Sequence, residues 1–179
     1  FRRVLFRSTG LPANQVFGTG TYLDTARLKR SLGDALNVDP RSIQGYMLGE
    51  HGDSQFAAWS TVRVLGQKAD ELVTNYHLDL DAVANDARVG GFTVFSGKKY
   101  TNFAIAHAAV SLAQLVLSDA HNEAIVSHYD ARFAGYISTP AIIGRSGVVA
   151  NFELTLTADE QRALQQSANA IAEKTAAYL

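Results

Sequence analysis

Gly18-Thr19-Gly20-Thr21-Tyr22-Leu23-Asp24-Thr25-Ala26-Arg27-Leu28-Lys29-Arg30-Ser31-Leu32 is the stretch on which the fold turns. It opens like a dinucleotide-binding turn, G-x-G-x-x-G. Leu23 stands at the third glycine position, however, and no acidic ribose partner follows at the right distance after a strand–helix–strand unit. The residues therefore read as a turn leading into a helix. Leu23, Ala26, Leu28 and Leu32, continued by Ala35 and Leu36, recur at a roughly helical period. Pro40 disfavours helix at Asp39, so the helix ends by Asn37-Val38-Asp39-Pro40.

Working outward, residues 43–48 read as a strand that ends at Gly49-Glu50-His51-Gly52-Asp53-Ser54. Residues 56–64 read as a strand or a loop into one. Residues 79–94 look helical with an interruption at Gly90-Gly91, and Ser96-Gly97-Lys98-Lys99 is a break. Residues 101–120 form the longest helical candidate, Ala-rich and buried on one side. Residues 133–143 and 148–156 read as strands around Gly144-Arg145-Ser146-Gly147. Thr157-Ala158-Asp159-Glu160 is a capping box that opens a C-terminal helix. Strands run near helices without regular βαβ alternation, which predicts an α+β fold rather than a doubly wound sheet.

Composition narrows the function. The 179 residues are 47% hydrophobic and 18% charged, enough for one well-filled core and too apolar for disorder. Sixteen basic against seventeen acidic residues leave a net charge of −1, which argues against a broad basic nucleic-acid surface. Zero cysteines exclude a disulfide scaffold and a thiolate metal site. No run reaches the roughly 20 apolar residues of a membrane-spanning helix. The opening residues 1–8, with three arginines, differ in character from the rest of the chain and are expected to be an appendage.

Two features point to chemistry. Asp24 and Arg27, three apart, share one helix face. On a solvated helix such a pair is decoration worth about 0–1 kcal/mol. Here the surrounding positions are apolar, which turns both groups inward, and a buried Arg needs a carboxylate partner or an anionic ligand. Its planar fork suits a substrate carboxylate. His51 sits just past a strand between Gly49 and Gly52, where the backbone is free and functional loops gather. An imidazole exchanges protons near neutral pH. A carboxylate beside it would fix its tautomer, and Asp24 meets that need if the helix packs against the strand end. The other histidines read otherwise: His107 as a packing position, and His77, His121 and His128 as solvated. No metal-ligand spacing is convincing.

Phe17-Gly18-Thr19-Gly20-Thr21-Tyr22-Leu23-Asp24-Thr25-Ala26-Arg27 resembles the G-[ST]-G-T-x-L-D-[ST]-A-R segment of the L-lactate/malate dehydrogenase family. Gly49-Glu50-His51-Gly52-Asp53-Ser54 resembles that family's catalytic-histidine loop. Asp39-Pro40-Arg41-Ser42 and Lys99-Tyr100-Thr101 fall at matching places. Phe92-Thr93-Val94, Trp59-Ser60-Thr61-Val62-Arg63-Val64 and residues 136–145 look closest to the L-2-hydroxyisocaproate dehydrogenase branch. The resemblance implies the family's C-terminal substrate domain over residues 9–179, with a mixed or antiparallel sheet packed against long helices. It implies His51 as acid/base, Asp24 as its orienting partner, Arg27 as the clamp on a substrate carboxylate and Thr101 beside the substrate. It places Thr19 and Ile105 at the nicotinamide end of NAD. It also implies a small 2-oxo or 2-hydroxy acid substrate, a cytoplasmic setting and a homotetramer, with no metal, nucleic acid or membrane.

The family's N-terminal Rossmann domain, its glycine fingerprint and its mobile loop have no counterpart in these residues. The expectation is therefore a truncated chain, inactive alone, whose NAD is bound mainly by the missing half. Lys29 and Gln44 depart from relatives activated by sugar phosphates, where the second position is His, and argue against fructose bisphosphate activation. The competing reading is a non-catalytic domain that keeps only the fold and the pocket.

Overall fold

The computed structural model describes residues 9–176, so the expected appendage at 1–8 lies outside the described residues. The helix read from the opening stretch is α1, Tyr22–Leu36. Thr21, Thr25, Leu28 and Leu32, spaced four, three and four apart, form its buried stripe. Asn37 ends it in the left-handed conformation at φ 53°, with the Val38 amide folded back on the Gly33 carbonyl at 3.0 Å. The expected strand over 43–48 is two short strands, β1 (Ile43–Gln44) and β2 (Met47–Leu48). β2 pairs with β3 (Phe56–Ala57). A 3-10 turn at Trp59–Thr61 follows, then β4 (Arg63–Val64), which pairs with both β1 and β5 (Gln67–Lys68).

Helices α2 (Ala69–Tyr76) and α3 (Leu80–Lys98) follow. The interruption expected at Gly90-Gly91 does not occur, because α3 runs straight through it. The two glycines serve packing against Arg27 instead. The helix expected over 101–120 is α4, Phe103–Leu117, of 15 residues. It is not the longest: α3 and the C-terminal α5 (Ala158–Ala176) have 19 each. Its buried side is narrow, holding Ala108 and Leu112, while Phe103, Val110 and Leu117 are exposed. His107 is exposed too, not packed as expected.

The main sheet is antiparallel, in the order β6 (Asn122–Asp130), β7 (Gly135–Gly144), β8 (Gly147–Asn151). β6 was not anticipated. It buries His128, which the polar neighbourhood had suggested to be solvated. Burial on both faces explains the near-continuous burial of β7. Ile137 packs with Leu164 and Ala168 of α5, and Val126 and Ile143 pack with Leu112 of α4. A separate cluster joins Leu28 and Leu32 of α1 to Ile43, Val62, Leu72 and Val83. The architecture is α+β, with small antiparallel sheets and long helices, and the described residues contain no Rossmann unit.

The capping box is present. The Thr157 hydroxyl accepts the Glu160 amide at 3.2 Å, and Glu160 accepts the Thr157 amide at 2.9 Å. The other oxygen of Glu160 accepts the Ser60 amide at 2.9 Å, tying α5 to the turn before β4. Among the described residues, no helix is long and apolar enough to cross a membrane.

Candidate active site

The site forms where α1 meets the end of β2. The Tyr46 carbonyl accepts the Ala58 amide, so alternation along an antiparallel pair points the amide and carbonyl of Met47 away from β3. They point at α1, where two threonines one turn apart receive them. The Thr25 hydroxyl accepts the Met47 amide at 3.0 Å, and the Thr21 hydroxyl donates to the Met47 carbonyl at 2.5 Å. The helix thus satisfies the strand as a neighbouring strand would. Ser138 of β7 completes the frame. Its hydroxyl accepts the Thr21 amide at 3.2 Å, and its backbone exchanges two hydrogen bonds with Gly49 at 3.0 and 3.1 Å.

This frame sets Asp24 against His51. The Asp24 carboxylate, 1% exposed, lies 2.6 Å from His51 Nδ1 through Oδ2 and accepts Arg27 Nη1 at 2.9 Å through Oδ1. A carboxylate paired with Arg accepts only, so Nδ1 is the protonated nitrogen of His51. The imidazole itself is 61% exposed. The three side chains line a cavity of about 760 Å³ between α1, α3 and α4, and Thr101 and Ile105 line it too. Thr19 does not line it. Its carbonyl accepts the Tyr22 amide at 2.9 Å, in the turn that opens α1.

Gly90 and Gly91 are the seat of Arg27. A Cβ at Gly90 would stand 3.1 Å from Arg27 Cδ, and one at Gly91 3.3 Å from Nη2. The close approach of α3 to Arg27 favours glycine there, and the pair interrupts the sequence pattern without interrupting the helix.

Arg88 and Lys98 also line the cavity and were not anticipated. They lie with Phe95 at helical spacing on one face of α3, which was the signal available. Lys98 Nζ sits 5.3 Å above the Phe103 ring. Glu50 supports the loop from behind. Burial would raise its pKa, but hydrogen bonds from Lys174 and Ser54 outweigh it and hold the carboxyl below its ordinary value. Among the described residues, no group of three or more His, Asp or Glu could hold a metal ion.

Residues 21–177 match the α/β C-terminal domain of lactate/malate dehydrogenase. L-lactate dehydrogenase 3 of Bacillus thuringiensis is 37% identical over 172 residues, covering 91% of this chain and 54% of that protein. L-lactate dehydrogenase of Treponema denticola is 37% identical over 181 residues, covering 96% and 58%. The crystal structure of minor L-lactate dehydrogenase from Enterococcus mundtii, in a ligand-bound form, superposes with a TM-score of 0.88 at 32% identity, covering 94% and 56%. The chain spans little more than half the length of the curated relatives it matches. The motifs, the fold and these likenesses agree: the chain belongs to the lactate/malate dehydrogenase family and carries its α/β C-terminal domain.

Proposed function

We propose that the chain is the catalytic, substrate-binding half of an NAD-dependent L-2-hydroxyacid dehydrogenase of lactate or 2-hydroxyisocaproate type. Residues 9–179 would form that domain. The observation that carries the reading is the hydrogen-bonded set His51–Asp24–Arg27 on one wall of a cavity.

Asp24 holds the proton on His51 Nδ1, which leaves Nε2 as the atom that gains and loses one. In the reductive direction, Nε2 gives its proton to the carbonyl oxygen of a 2-oxo acid, and in oxidation it takes the hydroxyl proton back. Asp24 stabilises the charged ring, as an opposite charge in contact does. Arg27 keeps Nη1 on Asp24 and turns the rest of its fork along the cavity, where a substrate carboxylate is held by charge-assisted bonds. Thr101 closes the pocket beside the substrate.

A 2-oxo acid of a few carbons fills only part of about 760 Å³. The apolar wall at Phe103 and Ile105 suits a flat aromatic ring, so the residues present fit a nicotinamide. Ile105 is the contact that the lining of this cavity would supply, and Thr19, outside that lining, is not one. When bound, the nicotinamide supplies the hydride that reduces the substrate carbon. The cationic wall of Arg27, Arg88 and Lys98 suits a small anionic acid. The resemblance carries the further expectation of a cytoplasmic homotetramer.

The test is NADH oxidation by the full-length protein across a panel of 2-oxo acids. His51→Gln is expected to lower kcat by about 10²–10⁴-fold, the usual worth of a placed acid/base. Arg27→Ala is expected to lower kcat/KM by at least about tenfold, as loss of a charged hydrogen bond would. Near-normal turnover in either variant would refute the roles. The 179 residues alone, lacking a glycine fingerprint for the pyrophosphate, are expected to give no measurable heat when titrated with NADH. Tight binding would refute that division of labour.

A further inference from the structure

We infer that Ser167, on the C-terminal helix, is a positioning residue for His51. The inference rests on the acid/base role proposed for that histidine. Ser167 is 0% exposed and sits on the face of α5 turned toward the histidine loop. Its Oγ accepts the Glu50 amide at 2.7 Å and lies 3.0 Å from Ser54 Oγ. Ser54 Oγ donates to Glu50 Oε2 at 2.6 Å. The donor directions follow from the chemistry. An amide must donate and a carboxylate must accept, so the single proton of Ser54 goes to Glu50, and that of Ser167 goes to Ser54. The circuit runs from the Glu50 amide to Ser167, to Ser54, to the Glu50 carboxylate, with each hydroxyl donating once and accepting once.

This circuit clasps residues 50 and 54, and His51 lies between them. The residue before the clasp is held as well. Gly49, at φ 95°, is pinned to Ser138, and a Cβ there would stand 2.5 Å from Ser167 Oγ. Lys174, two turns along α5, pairs with the remaining oxygen of Glu50. The His51 ring is mostly exposed, and its Nδ1 meets the Asp24 carboxylate at 2.6 Å. Its aim depends on where the backbone of the loop stands relative to Asp24. An alanine at 167 would fill the helix position as well as serine does, so it is the hydroxyl that the loop needs.

The experiment compares Ser167→Ala, Ser54→Ala and the double variant in the full-length protein. One readout is exchange of the His51 Nδ1 proton, followed by NMR of ¹⁵N-histidine-labelled protein. The other is the split between kcat and KM for a 2-oxo acid. Each single variant is expected to speed exchange about tenfold, as loosened local structure does. Each is expected to lower kcat about tenfold with KM within about twofold, because a small misplacement of the acid costs rate and leaves the carboxylate clamp intact. The double variant should be no worse than either single one, since both break one circuit. Unchanged exchange and kcat in Ser167→Ala would overturn the inference, as would additive losses or a rise in KM matching the fall in kcat. Faster exchange in Ser167→Ala, in a protein whose unmutated form turns over no 2-oxo acid, would support the positioning and refute the acid/base reading.

Discussion

The Asp24–His51 contact depends on how α1 is fastened to β2, and Thr25→Val tests that fastening. Valine has nearly the shape of threonine but no hydroxyl. The change strips the Met47 amide of its acceptor at 3.0 Å, in a position buried beneath α1. The Met47 carbonyl keeps the Thr21 hydroxyl, so one buried donor is orphaned and nothing else. An orphaned buried donor costs about 1–3 kcal/mol. A chain of 179 residues has an unfolding entropy near 0.4 kcal/mol per kelvin, so each kcal/mol moves Tm by about 2.7 °C. Thr25→Val is therefore expected to melt about 3–8 °C lower in a calorimetric scan. Thr25→Ser is the control: it keeps the hydroxyl and loses one methyl group, for about 0.5–1.5 kcal/mol and about 1–4 °C. A Thr25→Val protein that melts within about 1 °C of the parent would refute the reasoning. So would a Thr25→Ser protein that falls as far as Thr25→Val, because packing and not the hydrogen bond would then dominate.

His128 is buried with Nδ1 donating to the Tyr129 carbonyl at 3.1 Å and Nε2 accepting from Thr139 at 2.9 Å, and burial lowers its pKa. The folded state then binds fewer protons than the unfolded one. Its contribution to stability is full above about pH 6.5 and is lost as pH falls through the lowered value, at up to about 1.4 kcal/mol per pH unit. His128→Gln should flatten the Tm–pH profile between about pH 7 and 5, and parallel profiles would contradict this. Gly91→Ala should raise helix stability by up to about 1 kcal/mol while raising KM for a 2-oxo acid, since the new Cβ crowds Arg27; an unchanged KM would show that the guanidinium tolerates the shift. Glu160→Gln removes one of two acceptors serving Ser60 and Thr157 and should cost about 1–2 kcal/mol in urea unfolding. Hydrogen bonds from Ser60 and Thr157 outweigh burial and hold the Glu160 pKa below its ordinary value. Its stabilisation is therefore full above about pH 4.5 and fades below, so the cost of the variant should shrink in acid.

Much of the site is legible in the residues, because its chemistry uses side chains that are conspicuous on an apolar helix or in a glycine-flanked loop. Asp24, Arg27 and His51 stand out in that way, and the structure brings them together. The capping box is legible for the same reason: its bonds close within four residues. What the residues hide is whatever depends on a distant partner. β6 reads as polar because Glu123, Ser127, His128 and Asp130 interrupt it, yet Tyr46 donates to Glu123, Thr139 of β7 meets His128 and Arg132 pairs with Asp130. His128 is buried because Thr139 waits on the next strand. Gly90-Gly91 reads as a helix break because propensity is local, whereas the reason for the glycines is Arg27, on another helix. The exposed apolar side chains of α4 give a hydrophobic run that resembles a core helix, because composition does not record which face finds a partner.

The groups that place the site are short hydroxyls, and there is a physical reason for the choice. Serine and threonine carry a donor and an acceptor on one atom, close to the backbone, with a single torsion to freeze. A glutamine or lysine reaching the same backbone groups would lose more rotamer freedom on being ordered. Met47 presents a donor and an acceptor to α1 with no strand beside them, and Thr25 and Thr21 supply one of each. The Glu50 amide presents a donor to α5, and Ser167 meets it. The Thr21 amide presents a donor to β7, and Ser138 meets it. Asp24 and His51, 27 residues apart and 2.6 Å from contact atom to contact atom, thus stand on backbone that bonds to separate elements hold, and the expectation is that their contact follows from those bonds. It follows that Asp24→Ala should leave α1, the histidine loop and β7 in register, with backbone amide shifts changing only near the site. Shifts spreading to Met47, Ser138 and Ser167 would show instead that the charge pair holds the frame.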